Sequence, residues 1–98
     1  MSRALVLRRV AQREFDDAAD WYDRQRAGLG LEFIEEVNRV FDQIQASPER
    51  YPLVHKVIRE GPVHRFPYVV YYRVEPDQLV VVAVVHTSRD PATWQGRA

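Results

Sequence analysis

The stretch RFPYVVYYRV, residues 65–74, decides the fold because it has the alternation of a β-strand with two apolar faces. Side chains along a strand point alternately to its two faces. One face here carries only aromatic and branched residues, and the other carries Val69, Tyr71 and Arg73. A strand with one face in water usually shows lysine or glutamate there. The stretch therefore predicts a sheet that needs a cover on both faces.

Length and composition predict one domain, spanning residues 1–98. A chain of 98 residues has room for a single core, and 46% hydrophobic with 29% charged residues is typical of an ordered protein. No stretch approaches the ~20 apolar residues of a membrane span, and the first residues are too short and too charged for a signal peptide. The absence of cysteine excludes disulfides and fits a reducing compartment. We therefore expect a cytoplasmic protein with no membrane partner.

The charges cancel over the whole chain but not locally. The sequence holds 14 basic and 14 acidic residues, and the acids dominate residues 14–49. The second half is rich in basic residues, namely Arg50, Lys56, Arg59, Arg65, Arg73, Arg89 and Arg97. A neutral total can thus hide a basic face that attracts an acidic partner or a phosphate.

Two amphipathic helices are predicted ahead of the decisive strand. Apolar residues recur at helical spacing over residues 11–22 and again over residues 33–44. Gly28 and Gly30 interrupt the pattern between them, and Pro48 ends the second helix because the residue before a proline avoids helical geometry. A short connection of this kind predicts an antiparallel helical hairpin.

The remaining segments are typical of strands. Residues 4–10 form the first, and residues 56–60 form a short one that Gly61 and the proline after it should end. The run LVVVAVV, residues 79–85, predicts a central strand covered on both faces. The order β-α-α-β-β-β predicts an α+β domain in which an N-terminal helical hairpin packs on one face of a small, mainly antiparallel sheet.

The second face of the sheet has two possible covers. Helices of about 16 residues, each about 24 Å long, can cover one face of a four-stranded sheet but not both. The face with Val69 and Tyr71 is then left for another molecule, since exposed apolar patches usually mark interaction sites. The alternative is that Trp94, on a helical turn capped by Asp90, folds over this face and completes the core.

Four motifs in order carry a resemblance to a known family. They are EFDDAADWYDRQRAGLGLEFIEEV at residues 14–37, SPERYP at 47–52, RFPYVVYYRV at 65–74 and HTSRDPATW at 86–94. With them the chain resembles the RelE/ParE superfamily of bacterial type II toxins, also called plasmid-stabilisation proteins, and is more similar to ParE. The resemblance implies a RelE/ParE-like fold and a cognate antitoxin encoded in the same operon, whose C-terminal segment wraps the toxin.

An antitoxin would supply the second cover that the sheet requires. The residues that we expect to bind it are Val69, Tyr71 and Arg73 on the decisive strand, together with Arg65 and Trp21. The arginines could pair with acidic side chains of the antitoxin or contact phosphates.

The superfamily divides by mechanism, and the two branches make different demands on the residues. RelE-like members cut messenger RNA on the ribosome, which requires cations and a proton acceptor at the phosphate. Arg89 stands where one of their arginines is expected. Their strand arginine, however, falls at Val69, and their late tyrosine falls near Trp94 or Gln95. Neither replacement carries charge to a phosphate.

The ParE-like branch inhibits DNA gyrase by binding and needs no catalytic residues. This reading fits the sequence better, so we expect growth arrest through gyrase and no catalytic site. If the chain is a ribonuclease instead, its site would use Arg89, His86 and Arg65. A lone histidine at a strand end is, however, more often a structural hydrogen-bonding residue.

No cofactor or metal is predicted. The three histidines, His55, His64 and His86, have no HExxH motif or cysteine partner to complete a zinc site. The only closely spaced glycines separate two helices and do not follow a strand, as a nucleotide-binding loop would require.

Overall fold

A helical hairpin, five strands and a short third helix form the chain in the computed structural model, which describes residues 3–98. In order they are β1 (Ala4–Leu7), α1 (Arg9–Gln25), α2 (Leu29–Ala46), β2 (Leu53–His55), β3 (Ile58–Pro62), β4 (Tyr68–Val74), β5 (Gln78–His86) and α3 (Ala92–Gln95). The strands form one sheet in the order β1-β5-β4-β3-β2. All neighbours are antiparallel except β1 and β5. The prediction of an α+β domain, with an N-terminal helical hairpin on one face of a mainly antiparallel sheet, is confirmed.

The long apolar strand lies where its composition predicts. β5 pairs with β4 on one side and with β1 on the other, and every residue from Leu79 to Val85 is buried. Because both faces of this strand are buried away from water, apolar side chains are favoured at every position, which explains its continuous run of branched side chains. The pairing with β4 contains a bulge, because the register passes from Tyr71↔Ala83 to Tyr72↔Val81.

The helical hairpin is closed by a glycine and an aspartate. Gly28 precedes α2 with φ of +90°, a left-handed conformation that glycine adopts without strain. The Asp23 carboxylate accepts hydrogen bonds from the backbone N–H of Gly28 at 2.9 Å and of Gly30 at 3.3 Å. A Cβ at Gly30 would stand 2.6 Å from the Ala19 carbonyl oxygen, so the two helices approach here as closely as their backbones allow.

Aromatic rings fill the space between the hairpin and the sheet. Phe33 is fully buried near the beginning of α2, and its ring lies 5.3 Å from Phe66 and 5.1 Å from Tyr68. Tyr22 of α1 completes the cluster at 5.1 Å from Phe33 and 4.8 Å from Phe66. Most of these ring pairs are edge-on, the arrangement that aromatic quadrupoles favour. The cluster fixes how the hairpin sits on β4.

The second face of the sheet is covered by the chain's own tail, so the prediction that it is open is wrong. Trp94 of α3 stacks on Tyr71 with ring centroids 3.8 Å apart and planes inclined by 14°. Tyr71 is 7% exposed, Val69 6% and Trp94 5%. The prediction failed because the turn between β5 and α3 reverses the chain and places α3 on this face of the sheet, and no residue type in that turn signals the reversal. Asp90 then caps the first turn by accepting a hydrogen bond from the Ala92 N–H.

Three predicted strands have different bounds in the structure. The decisive stretch, residues 65–74, pairs as a strand only from Tyr68, because Arg65 adopts a left-handed conformation with φ of +72°. The first strand ends at Leu7, not at residue 10, because its pairing with β5 stops there and α1 begins at Arg9. The short strand expected at residues 56–60 covers Ile58–Pro62 instead, since Gly61 and Pro62 both pair with β4. Pro62 lies at the last residue of the strand, where a missing N–H is tolerated.

One strand was not predicted at all. β2 lies at the edge of the sheet and pairs with only two residues of β3. It follows the proline-containing loop and is three residues long, which is too short for a period of two to be recognised. Among residues 3–98, none of the helices has the length and apolar character needed to cross a membrane.

Candidate functional site

Trp21 and Arg89 lie together in a cleft between α1 and the end of β5. The cleft is also lined by Asp17 and Tyr68. Trp21 is 50% exposed and packs edge-on against Tyr22 at 5.1 Å. Burial raises the pKa of the Tyr68 phenol, and the positive charge of Arg89 opposes that shift. The cleft therefore combines an exposed indole with one acidic and one basic side chain, which suits contact with another protein.

His86 is positioned by the turn that follows β5. Its Nδ1 accepts a hydrogen bond from the Ser88 backbone N–H at 3.0 Å, and its ring packs edge-on against Tyr68 at 5.4 Å. A backbone N–H can only donate, so the neutral imidazole carries its proton on Nε2. The geometry is that of a turn-stabilising histidine.

Arg65 is engaged by acidic residues of α2. Its Nη2 donates a hydrogen bond to Glu32 at 2.9 Å, and its guanidinium lies 5.3 Å from the centre of the Phe66 ring. Hydrogen bonds from Arg65 and then from Arg26 lower the pKa of the Glu32 carboxyl. The Arg65 guanidinium thus forms an ion pair with the Glu32 carboxylate. In residues 3–98 no hydrogen bond or ion pair joins it to His86.

Arg73 occupies the other end of β4. Its Nε donates a hydrogen bond of 2.6 Å to Glu75. Hydrogen bonds from Gln78 and from Arg73 lower the pKa of the Glu75 carboxyl. This pair holds the turn between β4 and β5 and lies at the opposite end of the strand from Tyr68.

The residues predicted to bind an antitoxin are therefore not gathered into one surface. Trp21 is exposed on α1, Arg65 faces α2, and Arg73 lies at the far turn. Val69 and Tyr71 lie beneath the tail, in the cluster that includes Trp94. The cleft does bring Trp21, predicted to bind an antitoxin, close to Arg89, which was predicted for the ribonuclease alternative.

Tyr71 keeps a polar contact inside its apolar cluster. Its hydroxyl donates a hydrogen bond to Glu60 at 3.1 Å. Burial, and then the hydrogen bond to the Glu60 carboxylate, raise the pKa of Tyr71 to about 12. The phenol is therefore a neutral donor at any physiological pH, and Tyr71 has a structural role.

The sequence analysis missed an ion pair at the edge of the sheet. Arg97 donates two hydrogen bonds to the Glu14 carboxylate, at 3.0 and 3.1 Å, and a third to the Val82 carbonyl oxygen at 3.0 Å. Glu14 also accepts a hydrogen bond from the Val84 N–H at 3.2 Å. Because 83 positions separate the two side chains, no local pattern in the sequence could have revealed the pair.

The described part of the chain contains no group of three histidine, aspartate or glutamate side chains close enough together to hold a metal ion.

Comparison with known proteins identifies the family. A family model described as the ParE toxin of the type II toxin-antitoxin system, parDE, matches residues 5–91. No curated protein matches the sequence. The fold is similar to a solved structure described as the chromosomal ParDE TA system from P. aeruginosa, with a TM-score of 0.76 and 16% sequence identity, covering 87% of this chain and 96% of that one. Since the family model spans most of the molecule, the chain belongs to the ParE toxin family of type II toxin-antitoxin systems.

Proposed function

We propose that this protein inhibits DNA gyrase in the cytoplasm and is neutralised by an antitoxin encoded in the same operon. The observation that carries the proposal is the match to the ParE toxin family over residues 5–91. Inhibition by binding requires a surface and no catalytic group. The cleft with Trp21 and Arg89 offers such a surface on the free chain.

The side chains that a ribonuclease would need support the same choice. In-line attack by a ribose hydroxyl requires a proton acceptor and cations at the phosphate. His86 has its Nδ1 bound to the Ser88 N–H, and Arg65 is paired with Glu32. Arg89 alone remains on the cleft. Losing one electrostatic donor from a preorganised site costs about 10²- to 10³-fold in rate, so three unassembled groups predict no useful cleavage.

The first experiment incubates the purified chain with gyrase and supercoiled plasmid. We expect gyrase-linked double-strand breaks, and we expect the antitoxin of the same operon to abolish them. Arg89→Ala should reduce the breaks by weakening binding to gyrase, so that a higher toxin concentration restores them. The matched control is Arg24→Ala, at the exposed end of α1, which should leave the dose response unchanged.

An experiment in a translating extract tests the alternative function, which is cleavage of messenger RNA on the ribosome. Under the proposal, ribosome-bound message stays intact in the presence of the toxin. Cleavage at defined codon positions, abolished by His86→Ala in a variant that still folds, would overturn the proposal and make the protein a ribosome-dependent endoribonuclease.

A further inference from the structure

A single ring nitrogen holds much of the turn that follows β5. His86 Nδ1 lies within hydrogen-bond distance of two donors of Ser88, the backbone N–H at 3.0 Å and the hydroxyl at 2.8 Å. The Arg89 N–H donates to the His86 carbonyl at 2.9 Å, and the Thr87 N–H donates to the Pro67 carbonyl at 2.9 Å. Both bonds made by Ser88 therefore end on an atom that can take up a proton.

This nitrogen accepts hydrogen bonds only while the imidazole is neutral. The Ser88 N–H can only donate, so Nδ1 is unprotonated and the Ser88 hydroxyl donates to it as well. An imidazolium carries a hydrogen on each nitrogen and has no acceptor. Protonation would set an Nδ1–H against the Ser88 N–H, and both bonds to Ser88 would be lost. Histidine is the side chain that ordinarily changes charge between pH 5 and 8, so mild acid is enough to cause this loss.

The surroundings of the ring offer little to replace these bonds. The titratable and charged groups on the neighbouring elements are Tyr68 of β4, Arg89 and Asp90 of the turn, and Glu14 and Asp17 of α1. Glu14 is paired with Arg97, and Asp90 caps α3. Within residues 3–98 no carboxylate forms a hydrogen bond or an ion pair with the His86 ring. A positive ring would instead adjoin Arg89 in the same turn, and like charges repel.

The turn is exposed, whereas the helix that follows it has its own anchors. Every residue from Thr87 to Asp90 is exposed, so hydrogen bonds and not burial fix the path of the chain there. α3 is held by the stacking of Trp94 on Tyr71 at 3.8 Å, and the tail after it by Arg97. Loss of the bonds to His86 therefore frees the turn and leaves α3 in place.

We propose that the turn of residues 87–90 is a pH-sensitive switch, in which neutral His86 holds Arg89 at the cleft and protonated His86 releases it. Arg89 lines the cleft with Trp21, and its backbone is bonded to His86, so the state of the ring bears on the position of this basic side chain. The switch goes beyond the proposed function, because a change in the turn is measured on the full chain with no partner added.

A pH titration of the isotope-labelled full chain by nuclear magnetic resonance tests the switch. Between pH 8 and pH 5 we expect the amide signals of Ser88 and Arg89 to move with the same midpoint as the His86 ring signals. The Ser47 amide is the internal control, because it donates to the Gln43 carbonyl, and its signal should stay constant. Titration of the His86 ring with unmoved Ser88 and Arg89 amides would overturn the switch.

Two substitutions assign the cause to one ring. His86→Asn places a side-chain oxygen near the position of Nδ1, where it accepts a hydrogen bond and does not titrate. The Ser88 and Arg89 signals should then stay constant from pH 8 to pH 5. His64→Asn removes an exposed histidine elsewhere and should leave their titration unchanged. An unchanged titration in folded His86→Asn would overturn the switch, since another group would then cause it.

The gyrase assay shows whether the switch reaches the cleft, and this arm alone rests on the proposed function. The toxin concentration for half-maximal breaks should rise about three- to tenfold from pH 8 to pH 6 relative to His86→Asn, the effect of one lost hydrogen bond. His86→Asn carries the pH dependence of gyrase itself. Equal rises in the two proteins would overturn the release of Arg89. Absence of breaks at either pH would contradict the proposed function and leave the titration of the turn as the test of the switch.

Discussion

Removal of the Trp94 side chain should destabilise the protein strongly. Trp94 is 5% exposed and stacks on Tyr71 at 3.8 Å. A buried tryptophan covers roughly 150–250 Å², which at ~25 cal/mol per Å² corresponds to about 4–6 kcal/mol. Partial collapse of the site reduces the loss, so we expect Trp94→Ala to lower the free energy of unfolding by about 3–5 kcal/mol.

Urea denaturation followed by far-UV circular dichroism measures this loss. Trp94→Phe keeps a ring on Tyr71 and should lose much less, which provides a folded variant if the alanine variant is too unstable to purify. Trp21→Ala is the matched control, because this tryptophan is 50% exposed and should cost less than about 1 kcal/mol. Equal losses for the two alanine variants would refute the conclusion that the tail covers the second face of the sheet.

Two further predictions concern the hairpin and the alkaline limit of stability. Gly30→Ala should lower the free energy of unfolding by about 1–3 kcal/mol, because the added Cβ would stand 2.6 Å from the Ala19 carbonyl oxygen. In the same thermal melt the control Gly96→Ala should be neutral, because its Cβ would meet no atom closer than 3.9 Å. Equal effects of the two substitutions would contradict the close helix packing at Gly30. In the folded chain the pKa of Tyr71 is raised from 10.0 to about 12, so the unfolded chain releases the phenol proton at a lower pH than the folded chain does. The contribution of Tyr71 to the free energy of unfolding is therefore complete below pH 10 and is lost as the pH rises toward 12. The drop in urea midpoint from pH 8 to pH 11 should therefore be smaller in Tyr71→Phe than in the parent, and an equal drop would show that Tyr71 does not set it.

The sequence predicted the elements whose signals are local. Helical spacing identified α1 and α2, and Gly28 and Gly30 located the turn between them. The apolar run at residues 79–85 indicated a strand buried on both faces, as β5 is. These predictions succeeded because periodicity and turn residues act within a few positions of the chain. The four ordered motifs likewise indicated the ParE family, which the family model confirms.

Tertiary structure decided what covers the second face and what closes the sheet edge. The sequence allowed either a partner or the tail over Tyr71, because hydrophobicity states that a surface must be buried but not by which group. The stacking of Trp94 depends on where the turn after β5 directs α3. The pairing of Glu14 with Arg97 depends on β1 ending early and leaving Val82 unpaired on that side. Contacts between residues so far apart in sequence arise only from the folded path of the chain, and for that reason neither could be derived from local pattern.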